Sequence, residues 1–497
     1  MITLDSVFKQ GVDNWIKNYK SNIDLEKFDK IHIKVSNIYH TSIINFKHKK
    51  DLYWYSIATL PLIDLLALSI FNTYLESTHK SKNIPFDLFK KELSAKYKFP
   101  NKTNINKFKS KIKYIIENFK YYFYYFFLGY KKVYHIGPIQ KESKLFLSEN
   151  NFFPFVIDTS LNIKNTNIIK NKEFYDFLNY LFISLSDEFL FLKKNNIQSI
   201  RKDFSIIFIN FTKYFFYFKE KIISYKKSST YLATVSGWLP IRVIMASCLS
   251  SEKKLISFNH ALTVFYNQKP DCSHDGLLLS TDMIVSSNFY KIEHLNKIKL
   301  LNQKFIFPNL SNFKNFPYLE DYSLYKKISI PKKIKKILLI GYPKSYSLNH
   351  NEPYNNLFTT LDLEIRIINY LKSKNYEIDY KIHPDRINEG ERLFIDKCNI
   401  VKNKFENVYS NYDCTIFIHH RTTALAVALI SNMPIVFFQN KQIKLDTFTK
   451  KIYNNRFSII STELIKNRIS YDSLILIDKI EQSLLKANNR DWEKFIS

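Results

Sequence analysis

Glycine is nearly absent: the 497-residue chain holds 7, where ordinary usage of ~7% would supply several times as many. No G-x-x-x-x-G-K-[ST] phosphate loop and no G-x-G-x-x-G fingerprint occurs, which sets aside P-loop nucleotide hydrolases and fingerprint-bearing dinucleotide enzymes. Cysteine is as scarce, with 4 residues (Cys248, Cys272, Cys398, Cys414) far apart and without a C-x-x-C pair. Disulfide frameworks belong to small secreted domains, and zinc sites need closely spaced ligands. Neither is expected, and a reducing cytoplasm is the compartment implied. No metal-ligand cluster and no Asp-x-Asp triplet is visible. The first residues, MITLDSVFKQGVDNW, lack a basic start followed by an apolar core, so no secretory signal is expected.

Long uncharged hydrophobic runs are also missing, with one near exception. Residues 53–73 are long enough to span a bilayer at ~1.5 Å per residue, but Asp64 stands at the centre and Pro61 interrupts the run. An acid at mid-bilayer costs roughly 2.5–3.5 kcal/mol on insertion scales, so a buried helix is expected. Two aromatic runs, 121–130 and 205–218, suit either an aromatic core or, with their neighbouring lysines, a membrane interface.

What the chain has in abundance is Lys, Asn, Ile, Tyr and Phe, residues with A/T-rich codons, which points to a genome of low G+C content. Its formal net charge is +29. The lysines are scattered rather than gathered in a stripe, so codon bias is their main cause. The remainder fits attraction to an anionic membrane surface or substrate. With 45% hydrophobic and 24% charged residues the composition is globular, and the length calls for two or three domains.

The pattern changes near YKKISIPKKIKK. Before it the chain reads as mainly helical; after it strand and helix alternate, which implies a parallel sheet with crossover helices. Strands are expected at 336–341, 376–384, 413–420 and 433–438, and helices at 357–373 and 421–430. A second run, with strands at 231–237, 254–260 and 281–287 and a helix at 239–249, reads as part of another Rossmann-like sheet. The expected division is an N-terminal domain over 1–328 (helical elaboration 1–225, core about 226–328), a C-terminal domain over 329–475, and a final helix over 476–497.

Two short motifs carry chemistry. His383 and Pro384 stand just past a strand end; the proline fixes φ, and the imidazole can donate to, or carry charge beside, a phosphate. A histidine satisfied by a neighbouring loop is the plainer reading. The second motif is HHRTTALAVAL, residues 419–429, where a strand runs into a helix whose first turn carries Thr422 and Thr423. Helix N-termini attract anions through free N–H groups, and Arg421 or a flanking histidine adds positive charge. A plain N-cap by Thr422 accounts for the same residues.

This order, strand–His-Pro, strand–Thr pair–helix, then a strand opening on Pro-Ile-Val, resembles the C-terminal half of bacterial GT-B glycosyltransferases of surface polysaccharides. It is most similar to those using CMP-sugars, the capsule Kdo transferases and the sialyl- and polysialyltransferases. The resemblance covers residues 230–440. It implies an α/β fold of GT-B type, two Rossmann-like domains facing a cleft, with a largely helical N-terminal region. It implies further that His383, Pro384, Thr422 and Thr423 contact the donor's nucleotide phosphate. Related chains usually carry Gly before the proline of the last strand, where this one has Asn432-Met433-Pro434; a glycine-poor chain makes that departure unsurprising. Those families place a catalytic carboxylate in an acidic–acidic–Gly motif. The similar string here is His274-Asp275-Gly276, which implies Asp275 as the general base that an inverting transfer needs. Asp-Gly is equally a turn dipeptide, and His260 and Asp271 are rival bases or acceptor-binding groups. Arg386, Glu389, Glu391 and Arg392 are expected to open a helix after the His-Pro motif, with Glu389 a candidate for a ribose hydroxyl. Lys344, on the loop after the first C-terminal strand, is a candidate for the donor phosphate.

The expectation is an inverting, metal-independent transferase without a cofactor, moving a Kdo- or sialic-acid-like sugar from a CMP-activated donor to a surface glycan or lipopolysaccharide acceptor. Its place would be the cytoplasm, with possible peripheral contact on the inner membrane. A GT-B enzyme with a UDP- or GDP-sugar or CDP-glycerol donor is one alternative. A non-catalytic basic nucleic-acid-binding protein is another, although no helix-turn-helix or RNA-binding signature supports it.

Overall fold

Many aromatic residues in the described part of the first half form a core. In the computed structural model, helices α1 (Leu25–Asn45), α2 (Leu60–Ser77), α3 (Lys141–Glu149), α4 (Lys172–Glu188), α5 (Lys194–Ile223) and α6 (Leu239–Ser250) precede or interleave the first strands. The residues described are 25–46, 51, 60–78, 129–137, 139, 141–157, 172–224, 229–233, 239–258, 280–285, 312–315, 328–342, 357–386, 397–419, 422–441, 447–465 and 468–490. Along α5, Phe204, Phe208, Phe211, Phe215, Phe218 and Ile222 recur at steps of three and four, the spacing of one helix face, and all are buried. Phe204 and Phe208 stack, as do Phe208 and Phe174 of α4. The 205–218 run is therefore core; of the 121–130 run, all but the last two residues lie outside the described part. Pro61 is tolerated because it stands in the first turn of α2. Asp64, the acid in the apolar run, meets Nε2 of His32 on α1 at 2.8 Å. No helix among the described residues is long and apolar enough to cross a membrane.

The first sheet has six parallel strands, β1 (Lys131–Ile136), β2 (Phe152–Ile157), β3 (Thr230–Ala233), β4 (Lys254–Phe258), β5 (Asp282–Val285) and β6 (Asn312–Asn315), in the order β2-β1-β3-β4-β5-β6. This corrects the expected onset of the sheet near residue 226: two of its strands, including the inner β1, come from the stretch assigned to the helical elaboration. β2 was hidden by Pro154 and by Lys-rich, aromatic surroundings. It is an edge strand, paired only with β1, where a residue without an N–H is admissible. At the end of β1, His135 is fully buried and its Nδ1–H donates to the Gly137 carbonyl at 3.1 Å. Gly137 adopts φ +80°, and a Cβ there would approach Ile241 Cδ1 of α6 to 2.7 Å.

The second sheet comprises β7 (Lys336–Ile340), β8 (Glu377–Lys381), β9 (Asn399–Val401), β10 (Cys414–Phe417), β11 (Ile435–Asn440), β12 (Ser458–Ile465) and β13 (Arg468–Ser470), with helices α7 (Leu357–Ser373), α8 (Thr423–Ile430), α9 (Thr447–Arg456) and α10 (Ile475–Lys486). Its order is β13-β12-β11-β10-β7-β8-β9, parallel throughout except for β12–β13. β7 and β10 are continuous apolar runs because helices cover both faces of a parallel sheet. The expected alternation of strand and helix from residue 336 onward is the one observed. The His-Pro strand stops at Lys381, and the helix expected to begin at residue 421 starts at Thr423.

The missing glycines leave a trace at four connections. Asn151, Glu252, Asn375 and Asn432 have φ of 51°, 54°, 63° and 59°. Each is the second residue past a helix (α3, α6, α7, α8) that leads into a strand, the left-handed position where glycine is usual. After α6, Glu252 N–H bonds Leu249 O and Lys253 N–H bonds Cys248 O; after α7, Asn375 and Tyr376 bond Lys372 O and Leu371 O in the same way. These are Schellman closures made mostly with asparagine, the side chain that best tolerates that backbone. Asn432 thus takes, ahead of Met433-Pro434, the backbone conformation in which glycine is usual.

Candidate functional site

The strand order places β7 between β10 and β8, all parallel, so their carboxyl ends share one edge. The chain leaves β7 for β8 and β9 on one side and returns to β10 and β11 on the other. That reversal makes a crevice at the strand ends where open α/β sheets take ligands. Three segments reach that edge: Gly341-Tyr342 after β7, His383-Pro384 after β8, and, between β10 and α8, His419 and Thr422-Thr423.

His383 begins a tight turn. Arg386 N–H donates to His383 O at 2.8 Å, and Pro384 at the second position suits such a turn. His383 is half-buried and Pro384 exposed. Residues 384–386 form one turn of 3₁₀ helix. The expectation that Arg386 belongs with Glu389, Glu391 and Arg392 at a helix start is corrected for Arg386, which is turned into the interior at 1% exposure. Its partner there is Glu364 of α7, 0% exposed. Nη1 and Nη2 of Arg386 reach Oε1 and Oε2 of Glu364, each at 3.1 Å, and Nη1 also donates to Tyr342 O at 2.9 Å. Glu364 Oε1 accepts from Tyr342 N–H at 2.9 Å, and Oε2 accepts from the Tyr380 hydroxyl at 3.1 Å.

Every buried oxygen of that carboxylate is therefore used, which is the condition under which a charge is retained in an interior. Burial pushes the Tyr380 phenol well above its ordinary range, with Arg386 opposing and Glu364 adding, so it remains a neutral donor. The tyrosine explains Gly341: a Cβ there would stand 2.3 Å from Tyr380 Oη. Lys381, the last residue of β8 and two before His383, is buried and donates to Ile382 O at 2.9 Å; burial lowers its pKa.

On the other side of β7, His419 is buried edge-on to Tyr342, with ring centroids 5.0 Å apart at 84°. Thr422 is extended and caps α8, its Oγ1 accepting from Ala424 N–H at 3.3 Å. The plain capping role is thus real, and it leaves the hydroxyl proton available to a second acceptor. Thr423 is the first helical residue. The far end of α8 is held by Arg456, whose Nη2 donates to Met433 O at 2.8 Å and to Ala428 O and Leu429 O at 3.4 Å. Burial lowers the Arg456 pKa to about 9.

Of the residues singled out in the sequence, His383, Pro384, Thr422 and Thr423 come to the same sheet edge. Lys344, Glu389, Arg421, His260, Asp271 and Asp275 lie outside the described residues. Among the described residues no group of three His, Cys, Asp or Glu side chains could hold a metal. Sequence reasoning missed Glu364. Its signal was an acid on a helical face otherwise apolar and buried, in line with Leu361, Ile368 and Leu371.

No family model matches the chain, and no curated protein does. Among solved structures it is similar to the crystal structure of Arabidopsis thaliana UGT89C1, at 9% identity over 72% of this chain and 85% of that one, with a TM-score of 0.35. The functional reading accordingly rests on the residues at the strand ends.

Proposed function

We propose that the chain is an inverting glycosyltransferase of GT-B type whose C-terminal sheet binds a nucleotide-activated sugar. One observation carries this reading: β8 and β10 flank β7, so that His383-Pro384 and the start of α8, distant in sequence, share one edge of a parallel sheet at its reversal. A departing nucleotide phosphate at that edge would meet the imidazole of His383 on one side. On the other it would meet the positive end of the α8 dipole with the hydroxyls of Thr422 and Thr423. Lys344 and Arg421 supply further positive charge in this proposal, and Glu389 takes a ribose hydroxyl. Asp275 acts as base, with His260 and Asp271 as the rivals to be tested beside it. The base removes the acceptor hydroxyl proton, the oxygen attacks the anomeric carbon, and the bond from that carbon to the phosphate oxygen breaks.

The donor proposed is CMP-linked, with a Kdo- or sialic-acid-like sugar, and the acceptor is a bacterial surface glycan or lipopolysaccharide at the cytoplasmic face of the inner membrane. The motif order His-Pro, Thr pair, Pro-Ile-Val supports that choice. Isothermal calorimetry of CMP, UDP and GDP with the wild-type chain and with His383→Ala tests it. Selective CMP binding that the variant loses is the expected result. Selective UDP or GDP binding lost in the variant would keep the site and change the donor. Binding indifferent to His383 would remove the site assignment.

A further inference from the structure

Resting on the donor-site reading above, we infer that the buried pair Glu364–Arg386 is a positioning latch for the His383-Pro384 turn. It makes the geometry of the phosphate site depend on residues that touch no ligand. The connections support a latch rather than a generic core contact. Arg386 closes the turn through its N–H to His383 O, and its guanidinium binds both the Glu364 carboxylate and the Tyr342 carbonyl. Glu364 in turn holds the Tyr342 N–H and the Tyr380 hydroxyl. The loop after β7, helix α7, strand β8 and the His-Pro turn are thereby joined at one carboxylate. Tyr342 also carries His419 against its ring, so the same unit reaches the segment leading to α8. Both main-chain groups of Tyr342 are spoken for, which fixes how far the loop after β7 stands from the His383 turn.

A stabilising role alone is separable from positioning, because a buried ion pair can be replaced by apolar residues of similar size with little loss of stability. The double variant Glu364→Leu/Arg386→Met removes the latch while keeping the interior filled. Nucleotide affinity is measured by calorimetry alongside wild type and His383→Ala, with thermal melts of each chain. The expected result is a lowered melting temperature in a chain still folded at the assay temperature, because the Tyr342 main-chain groups and the Tyr380 hydroxyl lose their buried partners, and affinity for the bound nucleotide weakened at least ~10-fold, the scale on which small misplacements degrade a site. Arg386→Lys, which keeps charge and bulk but cannot serve both Glu364 oxygens and Tyr342 O, is the second variant. It is expected to weaken binding in the same direction, and it decides the matter where the double variant does not fold. Wild-type affinity in a folded latch variant, with His383→Ala impaired, overturns the latch and leaves the donor site standing. Wild-type affinity in His383→Ala overturns the donor site itself, and the latch with it.

Discussion

Replacing Asn432 with glycine should stabilise the C-terminal sheet, and the size of the gain follows from its surroundings. Asn432 stands two residues past α8 at φ 59°, is 6% exposed, and its Oδ1 has no hydrogen-bond partner among the described residues. Left-handed backbone costs an L-residue ~1–2 kcal/mol, less for asparagine. A buried, unpaired carbonyl costs ~1–3 kcal/mol. Against these stand a small void and the greater unfolded-state freedom of glycine, together ~1–2 kcal/mol. The net expectation is a gain of ~1 kcal/mol, or ~2–4 °C in melting temperature for a unit of this size. Asn375 has φ 63° but is exposed, so Asn375→Gly removes only the backbone cost and should gain about half as much. Asn432→Ala keeps the strained backbone and should melt below Asn432→Gly by ~1 kcal/mol. The assay is thermal and urea unfolding of the full chain followed by tryptophan fluorescence and circular dichroism. An Asn432→Gly chain that melts no higher than Asn432→Ala would refute the reasoning.

Three further outcomes are expected. Burial lowers the His135 pKa from 6.5 to about 4. Below pH ~6.5 the unfolded chain therefore binds a proton that the folded chain refuses, and stability falls as pH drops towards 4, by roughly 3 kcal/mol in all. His135→Gln should flatten that part of the pH–stability curve, and an unchanged slope would count against the assignment. Asp362 of α7 is buried and receives Arg468 of β13 through Nη2 at 2.7 Å and Nε at 2.9 Å, together with Arg366. Asp362→Asn should cost ~2 kcal/mol and speed hydrogen exchange in β13, and exchange that stays at the wild-type rate would show that the edge strand is held by other contacts. Thr422→Ala should lose the α8 cap at a cost of ~1 kcal/mol while Thr422→Ser retains it; equal melts for the two would mean that the cap hydrogen bond contributes nothing.

The second sheet was legible because β7, β10 and β11 are short, largely apolar runs, β8 alternates charged and apolar residues up to His383-Pro384, and α7 shows apolar residues at steps of three and four while α8 is made of strong helix formers. The His383 and Thr422 motifs were legible for the same reason, standing where strand periodicity stops. Illegible were features whose cause is remote in the chain. β1 opens on two exposed lysines, Lys131 and Lys132, and β2 carries Pro154, whose tolerance depends on an edge position that only the pairing reveals. Arg386 resembled its charged neighbours in sequence; the acid that draws it inward is 22 residues earlier on another element. Asn432 looked like a departure from a glycine position until its backbone angle showed that asparagine does the same work.

Helix α5 bears on how the chain can be cut. Its 30 residues extend ~45 Å at 1.5 Å per residue. Its N-terminal half packs against α4 through Phe204 and Phe208, α2 also lies against the helix, and the C-terminal half meets α6, where Ser247 Oγ donates to Phe215 O at 3.1 Å. Asp51 joins the same seam, accepting from Lys219 of α5 at 2.6 Å and from Ser250 of α6 at 2.8 Å. A fragment beginning after α5 would present the flank of α6 to water and lack the two strands beside β3. The described elements from α1 to α5 are thus structurally inseparable from the first sheet, and shortened expression products that omit them would carry a raw apolar flank prone to aggregation.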